Sequence, residues 1–240
     1  MLEKTICACF VTIYILFVRK MMTESDVVLV TGFGPFGEHA VNASWEAVSL
    51  LPGTIAGCTI VKQEIPVLYR QVEEIVPRLW HRYNPKLVVH VGVSSATREI
   101  QIETCANKKG YKRADIEDTC PANGQVCYGQ ADTIQTSLCA RTICERLNQD
   151  STWKASISND PGRYLCEFIY YVSLSHNNQR TLFVHVPPLN EPFSKSQLAR
   201  ALEEIVKCAL ELIGDTEEHS AHFANDSVRI YKNGRAAAAF

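Results

Sequence analysis

The sequence predicts an α/β domain, a three-layer α/β/α sandwich around a largely parallel, twisted central sheet. Three observations carry this. Short apolar runs rich in Val and Ile alternate with longer segments of helical spacing, the pattern of strands joined by crossover helices. Two of the runs, Leu87 to Val93 and Leu182 to Val186, are apolar nearly throughout, as strands covered on both faces are. With 240 residues, 46% hydrophobic and 21% charged, the chain can bury one substantial core, so a single domain is expected.

Taken in order, Val27 to Val30 reads as the first strand and runs into the glycine-broken TGFGPFG. Ser44 is placed to cap a helix reaching about Leu51, and Thr59 to Ile65 returns to strand. Tyr69 to Tyr83 carries Val72, Ile75, Val76 and Leu79 at helical spacing. Leu87 to Val93 is the next, central strand. Arg98 to Thr104 alternates, with Ile100 and Ile102 on one face and Glu99, Gln101 and Glu103 on the other. Cys105 to Gly129, containing NKKGYKR and CPANGQ, reads as an irregular excursion. Thr133 to Leu147 reads as a helix, Ala155 to Ser158 as a short strand and Arg163 to Leu174 as a helix. Leu182 to Val186 is the last central strand. Ser194 to Ile213 is an amphipathic helix with Leu198, Leu202, Ile205, Ala209 and Leu212 on one stripe.

The domain is thus expected over residues 23–213, with residues 214–240 a disordered tail and residues 1–22 an extension outside the fold. Within that extension Ile6 to Val18 is almost wholly apolar. Its thirteen residues fall short of the roughly 20 that span a bilayer, and no small-x-small cleavage site follows. No stable membrane insertion is expected, a membrane anchor being the second reading. Met21 and Met22 stand where a compact domain of this type could begin. The net charge of −2 without a basic run argues against nucleic acid as a partner. Ten cysteines form no C-x-x-C pair and no zinc spacing; they read mostly as small buried hydrophobes of a reducing, cytoplasmic compartment. Secretion would also expose Asn42-Ala43-Ser44 as a glycosylation acceptor. No metal and no cofactor is expected.

The first loop satisfies G-x-G-x-x-G from Gly32 to Gly37, but the residues between its glycines argue against a phosphate cradle. Pro35 has no N–H to donate, Phe33 and Phe36 are large and apolar, and no acidic residue follows at about 20 positions. Two aromatics on such a loop suit a small, flat, uncharged ligand; alternatively both rings seal the top of the sheet. Ligands of open α/β sheets bind outside the carboxyl ends of the strands, so the loops after Val30, Val93 and Val186 share one rim. His185, two residues before Pro187-Pro188, belongs to that rim, whereas His90 sits deeper in its strand and reads as structural. Cys166 follows the Asp160-Pro161 turn at the start of a helix whose core stripe is Leu165, Phe168, Ile169 and Val172. A thiol there feels the positive end of the helix dipole, beside backbone N–H groups able to hold an oxyanion. The alternative for each is a satisfied core residue.

VTGFGPFGEHAVNASWEAV, VVHVGVS, NDPGRYLCEFIYY and LFVHVPPL together resemble type I pyroglutamyl peptidase in its animal form, a cysteine exopeptidase that removes an N-terminal pyroglutamyl residue. The resemblance covers about Val27 to Ile213. It implies a phosphorylase/hydrolase-like α/β fold, a catalytic Cys166, His185 and Glu103, and a pyrrolidone ring held by Phe33 and Phe36. It further implies that backbone groups near Val91 to Ser94 read the two polar atoms of the lactam. The excursion departs from the family pattern beyond NKKGYKR, and no oxyanion residue is assigned there. Two other readings stand beside it: a non-catalytic binder of pyroglutamyl termini, and a nucleoside phosphorylase-like enzyme, for which the rim lacks phosphate ligands.

Overall fold

The structure, a computed structural model, describes residues 25–36 and 41–214. The expectations for the N-terminal apolar run and for the tail lie outside the described residues. The strands are β1 (Ser25–Phe33), β2 (Thr54–Ile55), β3 (Cys58–Ile65), β4 (Pro85–Val93), β5 (Ile100–Glu103), β6 (Cys105–Asn107), β7 (Thr133–Gln135), β8 (Ala155–Ser158) and β9 (Thr181–Val186). The helices are α1 (Ala43–Ser49), α2 (Tyr69–Tyr83), α3 (Ala140–Asn148), α4 (Leu165–His176) and α5 over residues 195–214.

The main sheet has the order β2-β3-β1-β4-β9-β5-β8. β3, β1, β4 and β9 run parallel, β5 lies antiparallel to β9, and β8 is parallel to β5. The start of β5 therefore stands beside the end of β9, with Gln101 opposite His185. The central strands are apolar on both faces because both are covered. One core joins Val28, Val89 and Val184 to Ala47 of α1, Ile143 of α3 and Leu202 of α5. The other joins Leu29, Val88 and Phe183 to Val72 of α2 and Phe168 of α4. This is the expected three-layer sandwich.

Two local expectations are corrected. Thr133 to Gln135 is strand rather than helix, pairing antiparallel with β6 so that Ala106 faces Ile134; three residues ending the excursion find a partner that propensity could not reveal. Ser44 is not the helix cap. Asn42 holds that position with extended backbone and accepts the Ser44 N–H, while Ser44 itself lies inside α1. Among the described residues no helix is long and apolar enough to cross a membrane.

Candidate active site

A cavity of about 700 Å³ opens at the carboxyl ends of β1, β4 and β9. Phe33 and Phe36 line it from the loop after β1, Ser94 to Ala96 from the loop after β4, and His185 from the end of β9. Cys166, in the first turn of α4, lines it from the side.

The Cys166 thiol is partly exposed and sits where no side chain could stand on β4. A Cβ added at Gly92 would lie 2.6 Å from Cys166 Sγ and 2.8 Å from Phe183 Cζ. His185 is 6% exposed, and its Nδ1 lies 2.7 Å from Oε1 of the fully buried Glu103. That bond leaves Nε2 for the thiol, with which the imidazole also hydrogen-bonds. Burial opposes charge on His185, but negative charge on Cys166 and the bonds to Cys166 and Glu103 outweigh it and push its pKa up to about 10. Oε2 of Glu103 has no hydrogen-bond partner among the described residues, so this carboxylate is anchored through Oε1 and its bond to His185. The Tyr170 hydroxyl donates to the Glu103 carbonyl at 3.0 Å, holding the strand end against α4.

The aromatic loop is held from behind. Asn42 Nδ2 donates to the Gly34 carbonyl at 2.9 Å, and Asn42 Oδ1 accepts from both N–H and hydroxyl of Ser44. Ser44 Oγ in turn accepts the Phe33 N–H at 2.9 Å. Gly32 allows helix α1 to approach, since a Cβ there would lie 2.8 Å from the Trp45 backbone. With Asn42 4% exposed and both amide atoms engaged, the folded chain does not present the Asn42-Ala43-Ser44 acceptor. Phe33 is 3% exposed and belongs to the core beneath the sheet, whereas Phe36 is half-buried and packs against its edge.

The family model for pyroglutamyl peptidase matches residues 26–209. The chain belongs to the pyroglutamyl peptidase family. Human pyroglutamyl-peptidase 1 is 42% identical over 82% of this chain and 96% of its own. The pyrrolidone-carboxylate peptidase of Thermococcus onnurineus is 34% identical over 75% of this chain and 93% of its own. The crystal structure of pyroglutamyl peptidase I from Bacillus amyloliquefaciens superposes with a TM-score of 0.69 at 25% identity, over 77% of this chain and 97% of that one.

Within this pyroglutamyl peptidase fold the structure brings Cys166, His185, Phe33 and Phe36 to one cavity, with Glu103 behind the histidine. The end of β4 and the loop after it line the cavity from Val93 to Ala96, and the Ser94 N–H donates to the Val186 carbonyl at 2.9 Å. Sequence reasoning missed Arg113, which lines the cavity with its guanidinium 4.2 Å from the centre of the Tyr164 ring. It also missed the tether of the excursion to α4. Glu167, fully buried, accepts from Arg163 Nη1 and from both N–H and side-chain amide of Asn107. An acidic residue in the first turn was a visible signal; its distant partner was not. His90 is structural, as expected: Nδ1 lies 2.7 Å from Thr31 Oγ1 and Nε2 2.6 Å from Ser173 Oγ. Among the described residues no cluster of His, Cys, Asp and Glu is placed to hold a metal ion.

Proposed function

We propose that this protein removes N-terminal pyroglutamyl residues from peptides with Cys166 as nucleophile, His185 as proton carrier and Glu103 as the carboxylate orienting the imidazole. The observation that carries the assignment is one cavity holding a thiol, an imidazole anchored to a buried carboxylate at 2.7 Å, and two aromatic rings. Cys166 attacks the carbonyl that joins pyroglutamate to the next residue, His185 receives the thiol proton and returns it to the departing amine, and a thioester remains. Water activated by the same imidazole then releases pyroglutamate and restores the thiol. Glu103 stabilises the imidazolium throughout. The helix N-cap Tyr164 makes no side-chain cap hydrogen bond, which leaves first-turn N–H groups of α4 to receive the oxyanion.

Phe33 and Phe36 hold the uncharged lactam ring. An ordinary N-terminus is rejected because its ammonium would be desolvated between rings without a partner. Residues 23–213 form the catalytic domain. The compartment is the cytoplasm, a reading supported by the eight free cysteines of the described chain. The test is hydrolysis of pyroglutamyl, prolyl and alanyl aminomethylcoumarin amides. Turnover of the pyroglutamyl amide alone is expected; turnover of none, with retained binding of 2-pyrrolidone, would replace the enzyme by a binder.

A further inference from the structure

The elements that line the cavity follow the order of strands in the sheet. Phe33 ends β1, Ser94 follows β4, His185 ends β9 and Gln101 stands on β5, the next strand across. The thiol lies over Gly92 of β4, between the aromatic loop and His185. A substrate with its ring under Phe33 and Phe36 and its scissile carbonyl at Cys166 must therefore send its leaving residue past His185 towards β5. This direction rests on the peptidase reading above.

Gln101 is the residue the substrate meets there. It pairs in register with His185 and shares its strand face with Glu103, two residues on, whose side chain reaches His185 on that face. Its side chain is half-buried at the cavity wall, and among the described residues its carboxamide makes no hydrogen bond. A carboxamide offers one acceptor and two donors, the complement of a peptide unit with one C=O and one N–H. The other polar side chains of the sheet facing this rim are engaged: His185 and Glu103 bond each other.

We propose that Gln101 is a specificity residue for the leaving side, binding the first peptide unit after the scissile bond and so favouring true peptides over small amides. The chemistry it recognises is main-chain amide, independent of the side chain that follows pyroglutamate.

The test compares pyroglutamyl-Ala-Ala amide, which has that peptide unit, with pyroglutamyl aminomethylcoumarin, which lacks it. Gln101→Ala should lower kcat/KM about fivefold on the peptide, the worth of roughly one net hydrogen bond, and leave the coumarin amide unchanged. Gln101→Thr, which puts a residue of high strand propensity in its place, should give the same selective loss. A loss shared equally by both substrates, or none on the peptide, overturns the inference while the peptidase reading stands. A parent enzyme that cleaves neither substrate overturns both.

Discussion

Replacing Cys166 by alanine should abolish cleavage of a pyroglutamyl amide while 2-pyrrolidone still binds, because the ring pocket is built by other residues. Alkylation needs a sharper design than counting labelled thiols. Cys139 is exposed, and hydrogen bonds from the Thr142 hydroxyl and backbone hold its pKa below the usual thiol value, so iodoacetamide should label it as well. Only labelling of Cys166 should be blocked by 2-pyrrolidone; equal protection of both, or of neither, would contradict the assignment of the nucleophile. The histidine supplies a second prediction. Its folded pKa, pushed up to about 10 by Cys166 and Glu103 against the opposing effect of burial, lies above the unfolded value. Its contribution to stability is therefore complete below the unfolded value and lost as pH rises through about 10. Glu103→Gln removes one of the groups that raise it, and the imidazole titration followed by NMR should move to lower pH, with turnover falling more than ring binding. Gly92→Ala tests the same geometry from the strand side. Its Cβ would sit 2.6 Å from Cys166 Sγ, and a displaced nucleophile should cost on the order of a hundredfold in turnover, with KM little changed.

At the scale of elements, the loop after β1 separates two aromatics that look equivalent in sequence. Phe33 is 3% exposed within the core, so Phe33→Ala should lower stability by about 3 to 5 kcal/mol. Phe36 is half-buried at the cavity, and Phe36→Ala should instead weaken substrate binding by roughly 1 to 3 kcal/mol with the melting temperature nearly kept. A lowered melting temperature with unchanged kinetics would return Phe36 to the core. The helix that follows was legible as a helix, but its cap was not. Asn42 and Ser44 both favour helix starts, and only the contact between the loop and α1 decides that Asn42 caps while Ser44 accepts the Phe33 N–H. Likewise α4 could be placed from its apolar stripe, whereas its Glu167 link to Asn107, 60 residues earlier, depends on how the excursion folds back.

For the whole molecule, the described residues that line the cavity run from Phe33 to Leu189, and deletion of residues 1–20 removes none of these. Turnover of the pyroglutamyl amide by the truncated chain should equal that of the full chain; loss of activity or solubility would make the N-terminal run part of the working protein. Acid stability has a defined source in His90. Burial lowers its pKa to about 3, below the unfolded value, so the unfolded chain takes up a proton that the folded chain refuses. Stability should fall by about 1.4 kcal/mol per pH unit as pH drops below about 6.5, over and above other groups, and His90→Gln should flatten that part of the pH–stability curve. The Thr31, His90, Ser173 and Trp80 chain that replaces its water joins β1, β4, α4 and α2 beneath the cavity.

The sequence by itself determined what local chemistry can encode. Strands apolar on both faces required a covered sheet, the stripe on α4 put Cys166 at its edge, the prolines after Val186 put His185 at a rim, and four ordered blocks carried the family resemblance. It did not determine the partners. That Glu103 bonds His185 across 82 positions and that Gln101 rather than a loop residue stands beyond the histidine follow from β5 running antiparallel to β9, and the pairing of Thr133 to Gln135 with β6 belongs to a separate two-stranded sheet. Periodicity reports which face of an element is buried. It carries no information about which strand lies alongside, because strand order is fixed by long-range packing of the two helical layers, and that is decided only in the folded chain.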